Sequence, residues 1–209
     1  MSSAQALASG QALLGLELNA VQQQKLLDYL ALISKWNKVY NLTAVREPQA
    51  MVTQHLLDSL AVLPQVQDVV RLLDVGSGAG LPGIPFAIAR PQWQITVLDS
   101  SHKKSSFLRQ ACLELGLTNV KVACERVERY QPQMRFEAVI SRAFADLVEF
   151  AQLSAHLLAK DGKLYAMKGI YPHEELGRLP QQFRLQETIP LVVPGMDASR
   201  HLVILRAEQ

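Results

Sequence analysis

A short acidic and glycine-rich segment carries the strongest chemical signal in the sequence. Asp74 lies near the end of an apolar run, two residues before Gly76, and Gly76, Gly78 and Gly80 follow with one residue between neighbours. Glycines in this pattern let the backbone turn sharply and let a ligand approach main-chain N–H groups at the start of a helix. Because the segment from Gly78 to Gly83 also fits G-x-G-x-x-G, a dinucleotide-dependent oxidoreductase is one interpretation.

Two acidic residues favour a different ligand. The carboxylate of Asp74, just before the glycines, would repel a pyrophosphate but suits a cationic ligand with an amino group, such as S-adenosylmethionine. Asp99 ends the next apolar run, where it can accept hydrogen bonds from both hydroxyls of an adenosine ribose. A third run leads to Val127 and Glu128, which could hold the adenine edge. The alternative is that these acids only cap helices and the glycines only form a turn.

Three basic residues follow the ends of successive predicted strands: Arg126, Arg142 and Lys168. Cations beside a sulfonium ligand are unfavourable unless an anion joins them, so a phosphate-rich substrate such as RNA explains them best. Arg142 could also orient the methionyl carboxylate or a guanine, because a guanidinium stacks and donates in one plane. Lys103, in a short basic run, is a weaker RNA-binding candidate because exposed basic runs are commonly solvated.

The apolar pattern predicts the elements that position these residues. Helical periodicity without strand signals predicts an N-terminal helical extension over 1–65, followed by a ligand-binding domain over 66–209. From Arg71 onward, short apolar runs alternate with helical segments, as in a mostly parallel, Rossmann-like α/β sheet covered on both faces. The predicted helices lie near 82–90, 101–116 and 146–159. The predicted strands are Arg71–Val75, Gln94–Asp99, Val120–Cys124, Ala138–Ser141, Lys163–Met167, 182–193 and 200–206, the last two forming a terminal antiparallel hairpin.

Composition excludes several classes of protein. The chain has 209 residues, of which 49% are hydrophobic and 19% charged, so it can bury a core and is not a disordered tail. Its net charge of +2 is too small to indicate nucleic-acid binding by itself. Two cysteines cannot form a disulfide framework, and the uncharged N-terminal segment lacks the basic start of a signal peptide. A cytoplasmic protein without a membrane span is expected.

At these motifs the chain resembles the bacterial small-subunit (16S) rRNA guanine-N7 methyltransferase family, also known as glucose-inhibited division protein B or methyltransferase G. The resemblance covers almost the whole length, and several of its blocks are specific to that family. The blocks are Trp36 to Thr43, His55 to Ser59, Asp74 to Pro85, Leu98 to Ser100, Arg126 to Glu128, Ser141 to Ala145, Lys168-Gly169 and Arg200 to Leu202.

The resemblance implies a class I S-adenosylmethionine-dependent methyltransferase. Its substrate would be a specific guanine in 16S ribosomal RNA, as free RNA, a subunit or an assembly intermediate, with no obligate protein partner. Carried over residue by residue, the resemblance implies one set of residues around the cofactor and another toward the RNA. The cofactor set is Gly76, Leu81, Val127, Glu128 and Arg142, and the RNA set is Arg126 and Lys168. Ser77 and Ala79 depart from the Thr and Pro that relatives often have in the glycine segment.

The strand ends lack features that several kinds of methylation require, and this limits the type of reaction. The fourth predicted strand lacks the Asn/Asp-Pro-Pro-aromatic segment of enzymes that methylate amino groups. Neither Cys112 nor Cys124 is placed as the nucleophile for methylation at a pyrimidine carbon, and the histidines have no metal-ligand spacing. Guanine N7 has a lone pair and no proton to remove, so positioning, with Arg142 as the main candidate, is sufficient catalysis. A methyltransferase for another RNA or a small molecule, and a noncatalytic RNA-binding module, remain alternatives.

Overall fold

A seven-stranded sheet forms the centre of the computed structural model, which describes residues 1–142, 144 and 146–208. Its strands are β1 (Arg71–Val75), β2 (Gln94–Leu98), β3 (Val120–Ala123), β4 (Phe136–Ser141), β5 (Leu158–Lys168), β6 (Phe183–Pro190) and β7 (His201–Ala207). They are ordered β3-β2-β1-β4-β5-β7-β6, and β1 to β5 run parallel while β7 pairs antiparallel with both β5 and β6. The predicted mostly parallel sheet with a terminal antiparallel hairpin is confirmed.

Helices cover both faces of this sheet. They are α1 (Ser3–Leu13), α2 (Ala20–Tyr40), α3 (Pro48–Met51), a π-helical turn (Val52–Leu57), α4 (Asp58–Leu60), α5 (Gly83–Ala89), α6 (His102–Glu114), α7 (Leu147–Ser154) and α8 (His173–Gly177). Short 3₁₀ turns lie at Leu63–Gln65, Val127–Arg129 and Ala155–Leu157.

The strands are apolar on both sides because each side faces its own core. Leu72 belongs to the larger hydrophobic cluster and the next residue, Leu73, to the smaller one, as the two-residue period of a strand requires. Helices α1, α2, α5 and α6 contribute to the larger cluster, and α7 contributes Leu147 and Phe150 to the smaller one. The N-terminal helices therefore share a core with the sheet, and the division at residue 65 stays a prediction about sequence organisation.

Two predicted boundaries near the fifth strand were wrong. The helix predicted over 146–159 ends at Ser154 and passes through a 3₁₀ turn, and the strand predicted from Lys163 already begins at Leu158. A register shift in the pairing of β4 with β5 accounts for the longer strand. A Cβ on Gly162 would lie 2.8 Å from the Phe136 carbonyl oxygen, so the close approach of the two backbones there requires glycine.

Across the described part of the chain, none of the helices combines the length and the apolar character needed to cross a membrane.

Candidate active site

Three connected cavities follow the carboxyl edge of the parallel strands. The outer cavity, about 330 Å³, is lined by residues of three strand ends, among them Asp99, Val127 and Glu128. The glycine-loop cavity, about 230 Å³, shares Gly76 and Lys104 with it. The basic cavity, about 420 Å³, shares Thr43, His55 and Arg142 with the glycine-loop cavity. The larger cavity at the opposite edge of the sheet, about 510 Å³, contains none of the predicted site residues.

The glycines of the loop after β1 have different structural roles. Gly76, Gly78 and Gly80 all have positive φ, at 67°, 61° and 96°. A Cβ on Gly80 would lie 2.5 Å from Ile84 Cγ1, so this glycine lets the loop pack on α5. A Cβ on Gly78 would meet nothing closer than a backbone oxygen at 3.9 Å, which leaves its side open to the glycine-loop cavity.

Asp74 lies fully buried beneath this loop. Its Oδ2 accepts hydrogen bonds from Ser77 Oγ at 2.5 Å and from the Gly83 N–H at 2.9 Å, so it orders the loop at both ends. Burial raises the pKa of Asp74 to about 6. Its Oδ1 is buried without a hydrogen-bond partner among the described residues, and Asp74 lines none of the three cavities, so the amino group that the sequence predicts would have to reach this oxygen beneath the loop. That contact stays a prediction, whereas the loop-ordering role was not foreseen.

Helix α2 supports the same loop from the other side. Tyr29 is fully buried, and its hydroxyl donates to the carbonyl of Ala79 at 2.5 Å. Burial raises the pKa of Tyr29 well above its usual value, so the hydroxyl keeps the proton that it donates. The N-terminal extension therefore helps to shape the glycine-loop cavity.

Asp99 closes the glycine loop onto the second strand. Its Oδ2 accepts from the Gly78 N–H at 2.9 Å and its Oδ1 from the Ser101 N–H at 2.8 Å, while Lys104 Nζ lies 3.6 Å away. Because each carboxylate oxygen has two lone pairs, these backbone bonds leave room for the ribose hydroxyls that the sequence predicts.

The residues after β3 form the far wall of the outer cavity. Val127 is buried in a 3₁₀ turn, and Glu128 is exposed beside it. Arg126 is mostly exposed, and its Nη1 lies 4.0 Å from Glu128 Oε1. Lys103 is exposed on α6 and lines none of the three cavities, whereas its neighbour Lys104 lines two.

A buried carboxylate holds Arg142 at the junction of the glycine-loop and basic cavities. Nη1 of Arg142 donates to Asp58 Oδ2 at 3.1 Å and to the Gln54 carbonyl at 3.0 Å. The other oxygen of Asp58 accepts from Arg200 Nε at 2.9 Å. The side chain of Asp58 is only 3% exposed, while those of Arg142 and Arg200 are 29% and 27% exposed. One buried anion thus orients two guanidinium groups toward the cavity.

His55 and Thr43 complete the wall between these two cavities. His55 Nε2 lies 3.0 Å from Thr43 Oγ1, and Asn37 holds the backbone of Thr43 through two hydrogen bonds of 2.9 and 3.0 Å. Burial, followed by the positive charge of Arg142, lowers the pKa of His55. His55 lies in the π-helical turn, a rare element that is frequent at functional sites.

Lys168 lines the basic cavity with only 10% of its side chain exposed. Its Nζ donates to Glu175 Oε2 at 2.8 Å, and the same carboxylate accepts from the backbone N–H of Leu147. Contact of Lys168 with RNA stays a prediction, and it would require the ammonium to serve Glu175 and a phosphate together.

Comparison with known proteins decides the family. The model of the GidB family, described as rRNA small subunit methyltransferase G, matches residues 22–203. The chain belongs to this family. Ribosomal RNA small subunit methyltransferase G of Laribacter hongkongensis is 55% identical over 98% of this chain and 99% of the relative. The protein of the same name from Nitrosospira multiformis is 54% identical over 99% and 98%.

Solved structures agree with the fold. The O-methyltransferase TomG from Streptomyces achromogenes, solved in complex with SAM, superposes with a TM-score of 0.58 at 14% identity and full coverage of both chains. TrmN from Thermus thermophilus gives a TM-score of 0.58 at 18% identity over 75% of this chain and 53% of that one. The recognition of the family and of its methyltransferase fold from sequence is thereby confirmed.

Several residues of this methyltransferase G family member were missed as site residues. Asp58, Arg200, His55 and Thr43 all lie in blocks that carry the resemblance, but nothing in their local pattern assigned them a contact. These residues can be recognised only from their contacts in the folded structure, because Asp58 and Arg142 are 84 residues apart in the sequence. Among the described residues, no group of three or more His, Cys, Asp or Glu side chains is placed to hold a metal ion.

Proposed function

We propose that this protein transfers a methyl group from S-adenosylmethionine to N7 of a specific guanine in 16S ribosomal RNA. The connected cavities carry this proposal, because the edge suited to the cofactor opens at Arg142 onto a second, basic cavity. Family membership supports the same reaction class and the same RNA. The setting would be the cytoplasm, where ribosomal subunits are assembled.

The residues around the outer and glycine-loop cavities fit S-adenosylmethionine. Gly78 has no Cβ on its open side, and Asp74, beneath the loop, has a buried Oδ1 without a hydrogen-bond partner among the described residues. Asp99 would hold the ribose, and Val127 with Glu128 would hold the adenine. Gly76 and Leu81 would shape the methionine side, beside Arg142, while Gly80 would act indirectly by letting the loop pack on α5.

Positioning is the chemistry that this chain has to provide. When bound, S-adenosylmethionine supplies an electrophilic methyl group whose bond to sulfur breaks with the electron pair staying on sulfur. Arg142 and the walls of the basic cavity would hold N7 in line with that bond. Because N7 attacks through its lone pair and loses no proton, no side chain has to act as a base. A guanidinium has five N–H groups, so the contacts of Nη1 leave donors on Nε and Nη2 for the guanine or a phosphate.

Mapping of modified bases tests the proposal directly. Mass spectrometry of ribosomal RNA from cells with and without this gene should reveal one 7-methylguanine in 16S RNA that is present only with the gene. Reintroduction of the wild-type gene should restore it, and the Arg142→Ala variant should not. An unchanged pattern of 16S methylation on loss of the gene would refute the proposal.

The pH dependence of the reaction tests N7 as the acceptor. A single-turnover methylation rate should stay flat between about pH 7 and 9, because no base has to ionise. Both Asp74, with its pKa near 6, and His55, with its lowered pKa, have already lost their protons in this range. A rate that rises about tenfold per pH unit would indicate a base-assisted acceptor instead.

A further inference from the structure

A cluster of three rings lies beyond the end of β5, on the segment that leads to α8. The ring centroids of Tyr171 and His173 are 4.3 Å apart, with the planes inclined at 42°. The ring of His201 meets Tyr171 edge-on, at 5.7 Å and 87°. These three side chains, here called the ring cluster, come from two segments that meet at the carboxyl edge of the sheet.

The ring cluster adjoins the basic cavity. His201 pairs with Lys168 in the register of β5 and β7, and its Nδ1 lies 3.1 Å from the carbonyl oxygen of Gly169. Gly169, Lys168 and Arg200 all line the basic cavity. A Cβ on Gly169 would lie 3.8 Å from Arg200 Nη1, so the backbone that carries the cluster is in contact range of this guanidinium. None of the three rings is among the residues that line this cavity, so they lie at its border, where only a ligand that extends beyond the cavity would reach them.

The rings are anchored on one side and open on the other. Tyr171 and His201 are half-buried and His173 is exposed, while other large rings such as Phe150 and Tyr165 are buried in the core. Ile170, next to Tyr171, is 85% exposed. An ordered, partly exposed ring surface beside a basic cavity suits a flat apolar group attached to an anion, which describes a nucleotide.

We propose that the ring cluster, with Tyr171 as its main member, stacks an unpaired base adjacent to the methylated guanine. This inference rests on the proposed function. A guanine that enters the basic cavity has to leave its RNA stack, and the neighbouring base then loses a stacking partner. The ring cluster replaces that partner, while Arg200 and Lys168 lie where the phosphate between the two nucleotides would pass.

Substitution of Tyr171 separates stacking from a structural role. The Tyr171→Phe variant keeps the ring and the Tyr171→Leu variant removes it, so the pair differs mainly in stacking capacity. We expect Tyr171→Leu to raise KM for RNA about tenfold, with kcat changed less than about twofold, and Tyr171→Phe to resemble the wild type. Affinity for S-adenosylmethionine and the unfolding temperature should be alike in all three proteins.

A fluorescent base reports the contact itself. Small-subunit RNA carrying one 2-aminopurine, on the 5′ or the 3′ side of the methylated guanine, should at one of the two positions be quenched in the wild-type complex relative to the Tyr171→Leu complex. Tyr171→Leu should lose that quenching, and Tyr171→Phe should keep it. Quenching that persists in Tyr171→Leu, or that is absent from both positions in the wild type, overturns the stacking role. Methyl transfer by the wild type to the same RNA is measured in parallel, and its absence would count against the proposed function itself.

Discussion

At the scale of single residues, Gly78 and a glycine far from the cavities form a natural matched pair. Gly78 and Gly116 both have φ of 61°, and a Cβ at either position would meet no atom closer than 3.9 Å. An alanine at either position therefore costs a similar backbone strain, about 1 kcal/mol. Only Gly78 borders the glycine-loop cavity.

We expect Gly78→Ala and Gly116→Ala to lower the unfolding temperature equally, and only Gly78→Ala to weaken S-adenosylmethionine binding. A methyl group inside the proposed cofactor space should cost about 1.4 kcal/mol or more, which is tenfold in affinity. Calorimetric titration of both variants measures the difference. Equal affinities would remove the open side of Gly78 from the cofactor site.

Asp58 offers a second residue-scale comparison. Asp58→Asn removes the charge that orients Arg142 and Arg200 at the basic cavity, whereas Glu137→Gln weakens the Arg71 pair at the opposite edge of the sheet. Each change should lower the free energy of unfolding, Asp58→Asn by about 1–3 kcal/mol because its carboxylate is buried. Only Asp58→Asn should reduce kcat, with S-adenosylmethionine affinity retained. Full methylation activity in Asp58→Asn would show that this carboxylate does not position the guanidinium groups.

The sequence could supply the strand-end residues but not their supports. Asp99, Val127 and Arg142 were predicted together because the carboxyl ends of parallel strands meet at one edge. Asp58 and Arg200 were not, since they come from a helical turn and from the residue before the last strand, 142 residues apart. No local periodicity encodes such a contact. The sequence predicts Lys103, not Lys104, as an RNA contact for a related reason. Spacing along a helix does not tell which lysine faces the edge of the sheet.

At the scale of elements, the glycine loop is held between two buried polar groups. Asp74 bonds both ends of the loop from below, and Tyr29 on α2 bonds the Ala79 carbonyl. Asp74 has a pKa of about 6 in the folded protein, against an ordinary value of 3.8. Between these two pH values the carboxyl group is mostly protonated in the folded protein and mostly ionised in the unfolded chain. Its ionisation therefore opposes folding as the pH rises through this window.

Because ionisation of Asp74 opposes folding, the wild type and an Asp74→Asn variant should differ in how their stability depends on pH. Asp74→Asn is neutral at every pH, so the wild type should lose about 2–3 kcal/mol relative to the variant between about pH 4 and 7. Urea denaturation of both proteins across this range measures the difference in the free energy of unfolding. Parallel stability curves would contradict the burial of an ionising Asp74.

Element boundaries followed the apolar runs except where tertiary pairing decided them. The strands at Arg71 and Gln94 were predicted to begin where they do, because the turn residues around them interrupt the pattern. Between Ala155 and Gly162 the sequence suits a helix end or a strand. Ala155–Leu157 forms a 3₁₀ turn, and pairing with β4 selects the strand from Leu158 onward. Asp161 there has φ of 63°, a conformation that no helix or strand pattern encodes.

At the scale of the whole molecule, local charge matters more than the net charge of +2. The cavities along the carboxyl edge bring together basic side chains that are scattered in the sequence: Lys104, Arg126, Arg142, Lys168 and Arg200. Two of them share Asp58, and Lys168 pairs with Glu175. Arg126, with 69% of its side chain exposed, is the most accessible of those in ion pairs along this edge.

Arg126 and Arg129 therefore test which face of the molecule meets the RNA. Both are exposed and lie three residues apart around the same 3₁₀ turn, but only Arg126 lines the outer cavity. Replacing either by alanine removes one positive charge, so long-range attraction of RNA falls equally in both variants. Release of a counterion requires close contact with a phosphate, and we expect only Arg126→Ala to reduce the slope of log K against log salt concentration, by about one unit. Binding of 16S RNA at several salt concentrations measures the two slopes, and identical slopes in both variants would show that Arg126 contacts no phosphate of the RNA.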